Sequence, residues 1–236
     1  MKDNKKVCLI TGASSGIGYS IAKALSADGY QLILSARREE KLNGLKNDFT
    51  DVFPGDINSV EYQDKLIEYI YNQYDRCDYL FNCAGTLETG TIDDIDIERM
   101  CAMMRVNVES TFRLTYALLK RFKKQGFGHV INISSVLGTK VRPTAGAYSA
   151  TKFAMEALSE ALRLELAGSA VQVSCIEPGL VMTELHKNWA VHPKESMGIH
   201  EPLNTGDIVC IVKFIMDQPA NVRIPKIMIL PRDHKI

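Results

Sequence analysis

LITGASSGIG, residues 9–18, closes an apolar run that begins at Val7 with three glycines in seven positions. A short apolar run ending in glycine reads as a buried strand entering a turn, and a helical period follows it. In an open parallel sheet, ligands bind beyond the carboxyl ends of the strands. The first strand-to-helix turn there can bring a dinucleotide pyrophosphate to a helix N-terminus. On this reading Gly12 makes the tight exit from the strand, Gly16 lets the backbone approach a phosphate, and Gly18 lets the helix pack closely on the sheet. The spacing is G-x-x-x-G-x-G, not the G-x-G-x-x-G of the usual dinucleotide fingerprint.

The same alternation of short apolar runs and longer helical patterns continues along the chain. Strands are expected at 6–11, 31–36, 51–56, 78–82, 129–134, 171–177 and 226–230. The longest helical pattern spans residues 93–124, and the most amphipathic follows Tyr148 through SATKFAMEALSEALRLELAG. Nearly continuous apolar strands imply a sheet covered on both faces. The expected fold is therefore α/β: a doubly wound Rossmann fold with a mostly parallel seven-stranded sheet and helices on both faces. No repeat or low-complexity linker divides the chain, so residues 1–236 read as one domain, with a substrate loop at about 184–205.

The 28 basic and 28 acidic side chains cancel. Neither this balance nor a local basic run suggests a nucleic-acid or anionic-membrane partner. The six cysteines form no C-x-x-C, and His186, His192 and His200 lack metal-ligand spacing, so no metal is expected. Scattered cysteines and the lack of a signal-peptide core or a long apolar span place the protein in the cytoplasm.

Candidate chemistry gathers at the carboxyl ends of the strands. Tyr148 and Lys152 are four residues apart at a helix start and share one face, while Ser135 ends the fifth strand and opens onto the same crevice. Hydride transfer to a carbonyl leaves an alkoxide that needs a proton, and the reverse reaction needs a base. A phenol serves both if its pKa falls by roughly 2–3 units, and the Lys152 ammonium, with the positive oxidised nicotinamide, is expected to lower it. Ser135 would hydrogen-bond the substrate oxygen.

TGASSGIG (11–18), NCAG (82–85), Ser135, Tyr148-x-x-x-Lys152 and EPGLVMTEL (177–185) together resemble the short-chain dehydrogenase/reductase family, in its order and spacing across residues 6–185. The resemblance implies cofactor contacts from Gly12, Ser14, Ser15, Gly16, Ile17 and Gly18, and from Asn82, Ala84 and Gly85. Asp56 and Ile57 would contact adenine, and Cys83 departs from the family's second asparagine. Pro178 and Gly179 resemble the turn beside the nicotinamide, where Val181 would meet the carboxamide through its backbone and Thr183 the carboxamide or a phosphate through its hydroxyl; transfer of the pro-S hydride is implied. The residue matching Asn107 opens its helix locally and holds a proton-relaying water in the family.

Arg37 and Arg38 stand where NAD-preferring relatives carry Asp, and a guanidinium fits a 2′-phosphate that a carboxylate would repel. NADP(H) is the expected cofactor, with NAD(H) the alternative. The expected reaction is hydride exchange with a small or medium carbonyl or secondary alcohol. Pocket walls are expected from residues 88–91, 136–144 and 184–205, with Trp189 either a substrate lid or loop packing. Two other readings stay open: an NAD-linked alcohol dehydrogenase and a non-catalytic NADPH-binding sensor. Relatives pair through their long helices, which implies a homotetramer or homodimer; Met100, Met103 and Met104 are candidates for that contact.

Overall fold

The computed structural model describes residues 5–186 and 193–235. Its aliphatic runs form β1 (Val7–Thr11), β2 (Gln31–Ala36), β3 (Thr50–Pro54), β4 (Tyr79–Asn82), β5 (Gly128–Ile133), β6 (Val171–Pro178) and β7 (Lys226–Ile229). They pair in the order β3-β2-β1-β4-β5-β6-β7. Every pairing is parallel, so the sheet carries no antiparallel strand where a mostly parallel one was expected. The chain reverses direction across the sheet between β1 and β4, which opens a crevice at their carboxyl ends.

Alternation along the strands feeds two cores. Cys8, Ile10, Leu32, Leu34 and Phe81 face one way and pack with Ile21 and Leu25 of α1 (Gly16–Ala27) and with Ile208 and Val212 of α8 (Thr205–Met216). Val7, Leu9, Ile33, Leu80 and Val130 face the other way. They meet Leu66 and Ile70 of α3 (Val60–Tyr74), Leu114 and Leu118 of α5 (Thr111–Gln125), and Leu162 of α6 (Gly146–Glu165). The short α2 (Glu39–Asn43) follows β2, and α4 (Ile97–Met104) precedes α5. Among the described residues no helix is long and apolar enough to cross a membrane.

The structure moves several expected boundaries. The helical pattern from 93 starts at Ile97, because the Asp96 carboxylate caps it by accepting the Arg99 N–H at 3.0 Å. Arg105–Ser110 then widens into a π turn before α5 begins. Helix α6 begins at Gly146, so Tyr148 lies in its first turn. The segment expected to be irregular holds a 3₁₀ turn at Glu184–His186 and α7 (Pro193–Ser196), while Trp189 and His192 lie outside the described residues. Met103 is buried and its sulfur accepts the Glu88 N–H, whereas Met104 is exposed.

A buried polar chain ties the centre of the sheet to its helices. The Asn82 amide donates to Thr115 Oγ1 at 2.9 Å and to Asn132 Oδ1 at 2.8 Å. Asn132 in turn donates to Ser159 Oγ at 2.9 Å, and Ser159 to the Met155 carbonyl at 2.7 Å. Removing one member of such a chain orphans its buried partners. Asn82→Leu should lower the unfolding free energy by about 2–4 kcal/mol, read as a reduced urea midpoint at unchanged slope. A loss below about 0.5 kcal/mol would show that the chain adds nothing.

Candidate active site

The crevice is a cavity of about 1290 Å³. Its floor is set by Gly12, which takes φ +66° and lies so close to β4's exit that a Cβ there would sit 2.8 Å from the Ala84 backbone. Thr11 holds the same approach: its hydroxyl donates to the Phe81 carbonyl and accepts the Cys83 and Ala84 N–H groups, both at 3.1 Å. A Cβ on Gly18 would be 2.7 Å from the Gly12 carbonyl, so α1 packs tightly under the loop. Ser15, at the start of α1, makes no side-chain cap, and no acidic residue occupies the first turn. The free N–H groups of that turn give the loop the character of an anion cradle.

Gly12, Ser14, Ser15, Gly16, Ile17 and Gly18 all line the cavity, as do Ala84 and Gly85 opposite them. Pro178, Gly179, Val181 and Thr183 line it from the β6 side, with the Thr183 methyl packed 3.4 Å from the Cβ direction of Gly16. Val181 bridges to Leu203. Asn82 does not reach the cavity wall; its side chain belongs to the buried chain beneath.

At the other end of the loop, Arg37, Arg38, Asp56 and Ile57 line the wall. Asp56 also accepts the Asn58 N–H at 3.0 Å, as a turn aspartate does. Arg38 donates from Nε to Ser14 Oγ at 3.1 Å and pairs through NH1 with Glu184 at 2.8 Å. Lys41 reaches the other oxygen of Glu184 at 2.7 Å. Lys41 and then Arg38 hold the Glu184 carboxyl down at about 2. A carboxylate from the chain itself thus sits on Arg38, one of the two cations expected to take a phosphate, and on Lys41, which was not expected there.

Ser135, Tyr148 and Lys152 line the same cavity. Ser135 Oγ accepts the Leu137 N–H at 3.1 Å, and its hydroxyl is turned to the Tyr148 phenol. Lys152 is buried, and its ammonium donates to the Ile133 carbonyl at 2.9 Å. Burial pulls Lys152 down to about 8, against the opposing pull of Cys175, Cys83 and Glu156. Tyr148 differs from expectation. Burial pushes its phenol up to about 12, and the opposing pull comes from the Ser135 hydroxyl and the Arg142 guanidinium. The Lys152 ammonium stands 5.7 Å from the ring centroid and is engaged by Ile133, so desolvation prevails.

Asn107 lies in the π turn, behind the cavity wall. Its Oδ1 accepts the Thr86 N–H at 2.9 Å, and its amide donates to the Thr86 carbonyl at 2.9 Å and to Thr151 Oγ1 at 3.2 Å. It therefore fastens the segment after β4 to α6. π turns of this kind interrupt helices at functional sites.

Several lining residues carry no sequence signal. Thr86 and Leu87 form the wall expected from 88–91, because the Gly90 N–H is drawn to the Thr144 carbonyl at 2.9 Å. His234 and Lys235 reach the cavity from beyond β7, while Met197 lies in the wall expected from 184–205. Among the described residues no three His, Cys, Asp or Glu side chains gather as for a metal ion.

The donor set fits a phosphate-bearing dinucleotide: an uncapped helix start, a glycine bed and a guanidinium already gripping an oxyanion. The family model for short chain dehydrogenase matches residues 6–194. An uncharacterized oxidoreductase of Staphylococcus haemolyticus is 31% identical over 97% of this chain and 98% of its own. Serine dehydrogenase in complex with NADP+ superposes with a TM-score of 0.89 at 28% identity, over 94% of each chain. An alcohol dehydrogenase from the archaeon Thermococcus sibiricus, in complex with 5-hydroxy-NADP, gives 0.88 at 26% identity over 99% of each. With a family match running from β1 past β6, and relatives that are oxidoreductases throughout their length, the chain belongs to the short-chain dehydrogenase family.

Proposed function

We propose that the protein is an NADP(H)-dependent oxidoreductase that moves a hydride between nicotinamide and a small or medium carbonyl or secondary alcohol, with Tyr148 as acid and base. The observation that carries this reading is that Tyr148, Ser135 and Lys152 share one cavity with the glycine loop and Arg38. The cofactor supplies or accepts the hydride at its nicotinamide. In reduction the substrate carbon gains the hydride while its oxygen takes the phenol proton of Tyr148. The Ser135 O–H, beside the phenol, stabilises the charge that develops on that oxygen. A phenol held near 12 is protonated at neutral pH and so is ready to donate. Lys152, brought down to about 8, is poised to return a proton to the phenolate.

NADP(H) is supported by Arg38 and Lys41 gripping an oxyanion, and by the NADP-type ligands of the two similar solved structures. The NAD-linked alternative draws on Glu184, which already neutralises those cations. A cytoplasmic setting accords with six free cysteines. A homotetramer or homodimer accords with Met104 and Tyr116 on α4 and α5, and Phe153 and Leu164 on α6, all exposed.

Tyr148→Phe should cut NADPH-dependent reduction of a carbonyl panel by about 10²–10⁴-fold while NADPH still binds, measured by absorbance at the nicotinamide band and by fluorescence titration. Retained turnover would remove Tyr148 from the chemistry. Arg38→Ala should weaken NADPH about 10- to 100-fold with little change for NADH, and Glu184→Gln should tighten NADPH about two- to fivefold. NADH binding as tightly as NADPH in the unmodified protein would favour the NAD-linked reading. Analytical ultracentrifugation should show a dimer or tetramer at micromolar concentration; a monomer alone would reject the assembly.

A further inference from the structure

Arg142 is a cation in the crevice that no carboxylate pairs with among the described residues. It lines the cavity and acts electrostatically on both Tyr148 and His234. Its NH1 donates to the Met197 sulfur at 2.9 Å, a weak acceptor for a guanidinium. Its Nε is buried without a hydrogen-bond partner.

The charge around it is one-sided. The cavity's acids among the described residues are Asp56 and Glu184; Glu184 follows β6, and its carboxylate is held by Arg38 and Lys41. Lys140, Arg142, Lys152 and Lys235 line the cavity as well, and His234 presents a buried Nδ1 with no hydrogen-bond partner among the described residues. Burial, with Arg142 beside it, holds His234 below the usual imidazole range, which keeps it neutral and free to hydrogen-bond.

The segment is also held in place. Thr144 takes φ +66°, a conformation that costs about 1–2 kcal/mol for a residue with a Cβ. Its carbonyl accepts the Gly90 N–H, and the Arg142 carbonyl accepts the Ala145 N–H at 3.3 Å. The arginine therefore leaves a fixed turn directly before the helix that carries Tyr148 and Lys152.

We infer that the substrate carries a carboxylate, seated on the Arg142 guanidinium with His234 alongside, while its hydroxyl or carbonyl oxygen meets Tyr148 and Ser135. The inference deepens the oxidoreductase reading and rests on it for the position of the reacting oxygen. An arginine fork satisfies both carboxylate oxygens, which a methyl ester of the same chain length cannot offer as an anion. Hydroxy acids and oxo acids are the class this fits.

The test uses 2- and 3-hydroxy acids of three to six carbons, each beside its methyl ester, with the NADP+-loaded protein. Calorimetric titration gives binding, and formation of NADPH gives turnover. At least one acid should bind and react about 10- to 100-fold better than its ester, and Arg142→Gln should bring that ratio close to one while Arg142→Lys restores part of it. Equal handling of acids and esters, or a ratio that survives Arg142→Gln, overturns the carboxylate site. Esters turned over without preference leave hydride transfer standing and remove the anion site. Arg142-dependent acid binding without turnover of acids or esters keeps the anion site and removes the oxidoreductase reading. Failure of every acid to bind overturns the inference.

Discussion

The crevice exists because the backbone of Gly12 lies against that of Ala84, closer than a Cβ would permit. This contact joins the carboxyl ends of β1 and β4, the two strands from which the chain departs in opposite directions. Parallel strands on each side send their connections to opposite faces there, and the gap between them is the one place where a ligand can reach the strand ends. The Thr11 hydroxyl fixes the approach with three hydrogen bonds, one donated and two accepted. Everything the cavity contains is then a matter of which residues follow each strand.

Burial and charge are set against each other throughout that cavity. Lys152 and Tyr148 are both desolvated, which favours the neutral form of each. The ammonium is retained by the Ile133 carbonyl, and the phenol is pulled toward ionisation by Ser135 and Arg142. At the far end the opposite arrangement holds: Arg38, Lys41 and Glu184 are partly exposed and compensate one another. An incoming phosphate would compete with a carboxylate for a site already organised, a small cost where solvent screens the pair. At the Tyr148 end, among the described residues, no carboxylate pairs with Arg142.

Much of this was legible in the residues. Apolar runs located all seven strands to within a few positions, and for β1, β2, β4, β5 and β6 burial on both faces leaves little polar alternation to blur them. β3 was the least well placed: it starts at Thr50 and ends at Pro54, and the residues after it turn around Asp56. The glycine loop and the Tyr148–Lys152 pair were visible because both depend on short-range geometry, a turn and one helical repeat. The local opening of the helix at Asn107 was implied by the family resemblance alone, and its bonds to Thr86 and Thr151 come from distant parts of the chain.

The sequence alone therefore determined the strand pattern, the loop and the local pairs, since each is fixed by side-chain period and backbone sterics within about ten residues. Only the tertiary structure decided that Asn82 serves a buried chain beneath the crevice and that Glu184 occupies the Arg38 cation. The same holds for Arg142, His234 and Met197, which converge on the Tyr148 side of the cavity. Those arrangements join residues far apart in the chain, and whether a charge is matched or left bare depends on which side chains the completed fold brings within hydrogen-bond reach.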